Sequence, residues 1–247
     1  MEYESMVQQE FGSVLAPSGG WTSIALAGIP ESALKEHFSR IIENEELHIS
    51  ILPSFGTIEF VIRGKPEAVA KADETARSIL PDDCLPRGIL KLPEAILYEA
   101  ERKNSKIAFA ESCTGGLIGA AMTEVPGISK VFAGSCVTYD NHSKRALLGV
   151  SGDILKDCGA VSSECAAAMA EGASNIYRAD FAVSVTGIAG PDGGTVEKPV
   201  GLVWFGAFGG GKQTRTFSRT LNGNRVMIRE RAKTIALETM WRELKEA

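Results

Sequence analysis

Histidine is scarce in this 247-residue sequence, present only as His37, His48 and His142. The five cysteines, Cys84, Cys113, Cys136, Cys158 and Cys165, form no CxxC pair, and their count is odd and their spacing irregular. Together these features argue against a disulfide framework, a zinc site and a histidine-rich metal centre. A basic excess is also missing: 26 lysines and arginines face 31 acids, for a net charge of -5. That counts against a dedicated nucleic-acid binder, which usually carries a basic face, but leaves room for a local basic pocket holding one small anion. No apolar run approaches the ~18 residues of a membrane span, and the first residues lack a basic-then-apolar leader pattern. The expectation is a reduced, cytoplasmic protein with no membrane partner.

The 44% apolar and 23% charged content is that of a soluble globular protein. Residues 1–20 are polar and end in "APSGG", a flexible lead-in. "WTSIALA" reads as a strand, and "GIPESALKEHFSRIIENEE" as a helix with Pro30 and Glu31 suited to its first turn. "LHISILP" and "GTIEFVIRG" alternate as two strands joined by the turn "PSFG", and residues 66–80 have helical periodicity. "PDDCLPRG", 81–88, reads as a linker. The division expected is therefore a small α+β domain over 1–85 and a larger domain over 86–247.

Beyond the linker the rhythm lengthens to α/β units. Helices are expected at 91–103, 115–123, 142–148, 161–179 and 223–246, the third short and the fourth Ala-rich with a serine N-cap. In the last of them Val226, Ile235, Ala236, Met240 and Trp241 are the apolar positions. Strands are expected at 106–110, near 131–138, in "FAVSVTG", and in "VGLVWFGAF" and "KQTRTFSRT", a hairpin through "GGGK". Such elements suggest a three-layer α/β/α sandwich with a mixed sheet.

Three stretches can carry chemistry. In "KIAFAESCTGGLIGAAMTEVPG" a buried strand passes through Glu111-Ser112-Cys113-Thr114-Gly115-Gly116 into a helix. Glycines let backbone N–H groups approach a ligand, and a helix N-terminus favours an anion or a developing oxyanion. Ser112 is the candidate nucleophile and Thr114 a ligand contact; the alternative is that both merely cap the helix. Cys113 is better read as a small buried hydrophobe than as a thiol nucleophile. In "VTYDNHSKRALLGV", Tyr139 ends a strand and Lys144 begins a helix. A partly desolvated lysine can serve a serine as general base; the alternative is a solvated pair. In "TGIAGPDGGTVEKPVG" a long glycine-rich loop offers donors for phosphate, carbonyl or ribose groups, without a GxGxxG or P-loop pattern.

These stretches, "AESCTGGLIGAAMTEVPGISKVFAGSCVTYDNHSKRALLGV", "GAVSSECAAAMAEGA", "SVTGIAGPDGGTVEKPVGLVWFG" and "NGNRVMIRERA", resemble the CinA C-terminal domain family, the nicotinamide-nucleotide amidases, over roughly residues 90–245. "LAGIPESALKEHF" with "ISILPSFGTIEFVIRG" resembles the small KH-like middle domain of full-length CinA proteins. The resemblance implies hydrolysis of the carboxamide of nicotinamide mononucleotide (NMN) to nicotinate mononucleotide and ammonia, with no cofactor or metal, in pyridine-nucleotide salvage. It implies Ser112 as catalytic serine, Lys144 as base and Tyr139 beside it. Thr114, Gly115, Gly116, Thr186, Gly187, Gly190, Gly193 and Gly194 would line the substrate, and backbone donors near Gly115 and Gly116 would stabilise the oxyanion. Arg225 and Arg229 would bring positive charge, Arg225 to the 5′-phosphate. "GNR" stands where the family commonly has "GDR", so Asn224 keeps capping ability without charge. A homodimer is implied as well. The nucleotide-hydrolase domain that opens full-length CinA is expected to be missing, and ADP-ribose pyrophosphatase activity with it. Residues 21–80 contain no GxxG loop, so nucleic acid is not an expected partner. Two other readings stand beside the amidase: a non-catalytic nucleotide-binding regulator, and a nucleic-acid-associated scaffold.

Overall fold

Alternating apolar residues at Ile24 and Leu26, and again at Ile58, Phe60 and Ile62, build the first of two sheets. The computed structural model describes residues 19–54 and 56–247. The lead-in expected at 1–20 therefore lies outside the described residues up to residue 18, and Gly20 already opens a strand. The chain divides into two units, one reaching Leu90 and the other running Lys91–Ala247.

The first unit runs β1 (Gly20–Ala27), α1 (Glu31–His37), α2 (Ser39–Ile42), β2 (Leu47–Pro53), β3 (Thr57–Gly64) and α3 (Pro66–Ile79). Its three strands form an antiparallel sheet in the order β1-β3-β2. The single helix expected after Pro30 breaks at Phe38, whose backbone leaves the helical region while its fully buried ring packs 5.0 Å from that of Phe60. The stretch 81–88 is no free linker: Leu85 is fully buried, its N–H donates to the Ala25 carbonyl at 2.8 Å, and Cys84 bridges to Leu26. Prolines and acids disguise a segment anchored by one leucine.

The second unit runs α4 (Leu92–Arg102), β4 (Ile107–Glu111), α5 (Leu117–Thr123), β5 (Phe132–Val137), α6 (Asn141–Leu148), α7 (Ser163–Tyr177), β6 (Phe181–Gly187), β7 (Leu202–Gly209), β8 (Lys212–Thr220) and α8 (Arg225–Glu246). A 3-10 turn at Ile128–Lys130 and a wide π turn at Ile154–Cys158 interrupt it, neither anticipated from the sequence. The sheet order is β5-β4-β6-β7-β8, with β5, β4 and β6 parallel and β7 and β8 antiparallel. The protein is thus α/β, with a mixed five-strand sheet and a small three-strand antiparallel sheet N-terminal to it.

Every residue of β4 is buried. Ala108, Ala110 and Ala182 pack with Cys165, Met169 and Ala173 of α7. Small residues let that helix sit close: a Cβ on Gly206 would stand 2.4 Å from the Ala166 carbonyl, and one on Gly172 2.2 Å from that of Leu148. Ile228, Ala232, Ala236, Met240 and Trp241 of α8 are buried, and α4 packs along it. Val226, counted among the apolar positions in the sequence, is instead 65% exposed. Ser162 and Asn224 cap α7 and α8 as expected, their side chains accepting the N–H of Cys165 and Met227. The carboxyl ends of β4, β5 and β6 lie side by side, the place where open α/β sheets hold ligands.

Candidate active site

Glu111 ends β4 completely buried, and its carboxylate explains the turn that follows. It accepts the N–H of Gly116 at 2.9 Å, of Ile118 at 3.2 Å and of Gly119 at 2.9 Å, and the Ser135 hydroxyl at 2.7 Å. The acid thus answers the N–H groups that a helix start leaves without partners, and it ties the turn to β5. Gly115 and Gly116 sit at φ +62 and +95, left-handed values that let the chain double back over the carboxylate. Neither Ser112 nor Thr114 caps α5. Thr114 and Thr138 are fully buried with hydroxyls that have no partner among the described residues.

The turn places Ser112 opposite Lys144, which the first turn of α6 carries. Asp140 caps that helix, accepting the Ser143 N–H at 2.7 Å. Lys144 Nζ stands 3.0 Å from Ser112 Oγ and donates to the Thr138 carbonyl at 2.6 Å. Ser112 is 8% exposed and Lys144 1%. Burial draws the Lys144 pKa below the ordinary lysine value, against the opposing pull of Cys165, Cys113 and Asp140. Burial also pushes the Cys113 thiol up to about 11, so it carries no thiolate near neutral pH.

A hollow of about 270 Å³ opens over this pair. Tyr139, Thr186, Asp192 and Arg225 line it, with Gly187, Gly190 and Gly193. Arg225 closes its rim, donating to the Gly190 carbonyl at 2.6 Å and to the Tyr139 hydroxyl at 2.8 Å. Tyr139 is 60% exposed, and its hydroxyl meets Arg225 rather than Lys144. The Thr186 hydroxyl donates to the Ala160 carbonyl at 2.7 Å, so this residue meets the hollow with its donor already engaged.

Other expected contacts fall outside the hollow. Thr114, Gly115, Gly116, Gly194 and Arg229 do not line it. The Gly115 N–H donates to the Ser112 carbonyl at 3.1 Å and the Gly116 N–H to Glu111, so neither is free for an oxyanion. Arg229 braces the turn from behind, donating through Nε to the Cys113 carbonyl at 3.1 Å and through Nη2 to the Thr114 carbonyl at 2.8 Å. The N–H groups of Cys113 and Thr114 have no acceptor among the described residues. Sequence reasoning gave no role to Glu111 or Asp192. The signals were there: an acid at the end of an apolar strand, four residues before a glycine pair that opens a helix, and a carboxylate inside the glycine-rich loop.

A larger groove of about 670 Å³ lies within the first unit beside Arg40, Lys65 and Lys71, and the hydroxyl that lines it, that of Thr75, donates to the Lys71 backbone carbonyl at 2.7 Å. Among the described residues no group of three or more His, Cys, Asp or Glu could hold a metal ion, and no helix is long and apolar enough to cross a membrane.

A serine and a buried amine in contact at the strand ends invite comparison with known proteins. The model of the CinA C-terminal domain matches residues 90–244. The chain belongs to the CinA C-terminal domain family. A CinA-like protein of Fervidobacterium nodosum is 37% identical over 227 residues, covering 89% of this chain and 55% of that protein. This chain thus spans about half the length of the curated CinA-like relatives it matches. The crystal structure of the competence/damage inducible protein CihA from Agrobacterium tumefaciens has a TM-score of 0.58 at 43% identity, covering 60% of this chain and 90% of that one. A CinA superfamily protein from Escherichia coli has a TM-score of 0.59 at 30% identity, covering 61% and 87%. The family match therefore contains every residue of the hollow.

Proposed function

We propose that this CinA-family protein hydrolyses the carboxamide of NMN to nicotinate mononucleotide and ammonia. The observation that carries the reading is the buried Lys144 amine 3.0 Å from the Ser112 hydroxyl. A neutral amine takes the hydroxyl proton as Ser112 Oγ attacks the carboxamide carbon. The oxyanion falls to the N–H of Cys113, which lines the hollow, a place the engaged Gly115 and Gly116 N–H groups leave to it. Collapse breaks the C–N bond, and Lys144 returns the proton to the departing nitrogen as ammonia leaves. Water, deprotonated by the same amine, then opens the acyl-serine ester and restores Ser112.

Arg225 is the residue for the 5′-phosphate, since a guanidinium meets phosphate bidentately and stands at the rim. Tyr139 holds that guanidinium in place. With this reading go an amidase domain beginning near residue 86, arranged as a three-layer sandwich, a KH-like first domain over 1–85, and a homodimer.

The test is release of ammonia and nicotinate mononucleotide from NMN, run beside nicotinamide riboside and free nicotinamide. Turnover of NMN that disappears in Ser112→Ala supports the amidase. Unchanged release from Ser112→Ala, or none from the unaltered protein, rejects it. Trapping of an acyl group on Ser112 separates nucleophilic attack from a serine that only positions water.

A further inference from the structure

The rim of the hollow carries a charge that amide hydrolysis leaves unused. Asp192 lines the cavity from the glycine-rich loop, and no donor among the described residues engages its carboxylate. Two residues earlier in the loop, the Gly190 carbonyl is fixed by Arg225 at 2.6 Å. Carboxylate and guanidinium thus both line one small hollow, whereas Ser112 and Lys144 are buried at it.

We propose that Asp192 recognises the vicinal diol of a ribose, so that the site selects ribonucleotides over their 2′-deoxy counterparts. The inference rests on the amidase reading of the same site. With the carboxamide at Ser112 and the phosphate at Arg225, the part of the substrate between them is the sugar. A sugar diol presents two O–H donors side by side. A carboxylate is an acceptor-only group that takes two donors at once, through charge-assisted bonds stronger than those between neutral groups. The other side chains around the hollow match that demand less well: Thr186 is a neutral acceptor with a single oxygen, and the Tyr139 hydroxyl already accepts a hydrogen bond from Arg225. A carboxylate near a phosphate site weakens phosphate binding by repulsion unless donors come between them. The diol supplies those donors, which accounts for an acid at a rim otherwise suited to an anion.

The experiment uses the full chain carrying Ser112→Ala, which keeps ligands intact during titration. Dissociation constants for NMN and 2′-deoxy-NMN are measured calorimetrically with and without Asp192→Ala. The expected result is that removing the 2′-hydroxyl weakens binding by about 10-fold when Asp192 is present, the scale of one hydrogen bond to a charged group, and by less than about 2-fold in Asp192→Ala. Asp192 is exposed, so its truncation leaves the fold intact, and a thermal melt of each variant checks this. Equal discrimination with and without Asp192 overturns the proposal, as does a uniform loss for both ligands. If the unaltered protein releases ammonia from NMN yet shows no preference for the ribose form, the diol inference fails alone. If NMN neither binds nor turns over, the amidase reading fails and takes this one with it.

Discussion

Lys144 Nζ donates a hydrogen bond to the Thr138 carbonyl at 2.6 Å while standing 3.0 Å from Ser112 Oγ. The carbonyl fixes the direction of one N–H and holds Nζ within reach of the serine, where the neutral amine has a lone pair to take its proton. Burial favours that neutral form by drawing the amine below the ordinary lysine pKa. The rate of NMN hydrolysis should therefore rise with pH through a midpoint below that of free lysine. Lys144→Arg, which does not deprotonate, should lose about 100-fold or more and lack that rise. A rate profile that is the same in both proteins contradicts the assignment.

The same shift has a consequence for stability. The folded state binds this proton less tightly than the unfolded chain does. Between the two pKa values the unfolded state therefore holds more protons, and stability climbs with pH; below the folded pKa the cost is present in full. Lys144→Met should be more resistant to urea than the unaltered protein at neutral pH, with the gap narrowing toward pH ~10. Parallel stability curves across that range would show that the amine carries no such cost.

Glu111 serves the helix, not the substrate. Glu111→Gln swaps one carboxylate oxygen for a donor facing the backbone N–H groups of Gly116, Ile118 and Gly119. A loss of about 2–3 kcal/mol in urea unfolding is expected, with activity falling because the Ser112 turn loosens. Unchanged stability would mean the turn holds without its buried acid.

Two arginines from one helix should separate kinetically. Arg225→Ala removes the rim guanidinium and should raise KM for NMN by roughly 10- to 100-fold with a smaller effect on kcat. Arg229→Ala releases the carbonyls of Cys113 and Thr114 and should lower kcat instead, with KM little changed. The reverse pattern would exchange the two roles.

Cys113, though it stands beside the nucleophile, should resist alkylation. Its thiol, pushed up to about 11, is protonated at pH 8, so iodoacetamide in the native protein should leave it unmodified by mass spectrometry. Rapid labelling there would indicate a thiolate that the burial argument does not allow.

Much of this was legible in the sequence, for physical reasons. Strands such as "IAFAE" and "FAVSVTG" are continuous apolar runs because their sheet is covered, and Ser112, Tyr139, Lys144, Thr186 and Arg225 sit in motifs long enough to be carried over by resemblance. What escaped depends on partners distant in the chain. Nothing local says that Arg229 will reach the carbonyls of Cys113 and Thr114, or that Tyr139 will meet Arg225 across 86 positions. The glycine pattern points to donors near Gly115 and Gly116, but only distant geometry tells which: the Ser112 carbonyl and Glu111 engage the N–H groups of the two glycines themselves. The break at Phe38 escaped because helical periodicity continues through it, and only the buried ring beside Phe60 decides the turn.

Ser112, the Thr138 carbonyl and Thr186 extend from three strands that lie edge to edge in parallel. A slip of one residue in any of them would turn its side chains to the opposite face. Hydrolysis at this hollow would then behave as a checksum on strand alignment, silent in misassembled molecules rather than merely slow. The active fraction of a preparation would count the correctly paired sheets within it.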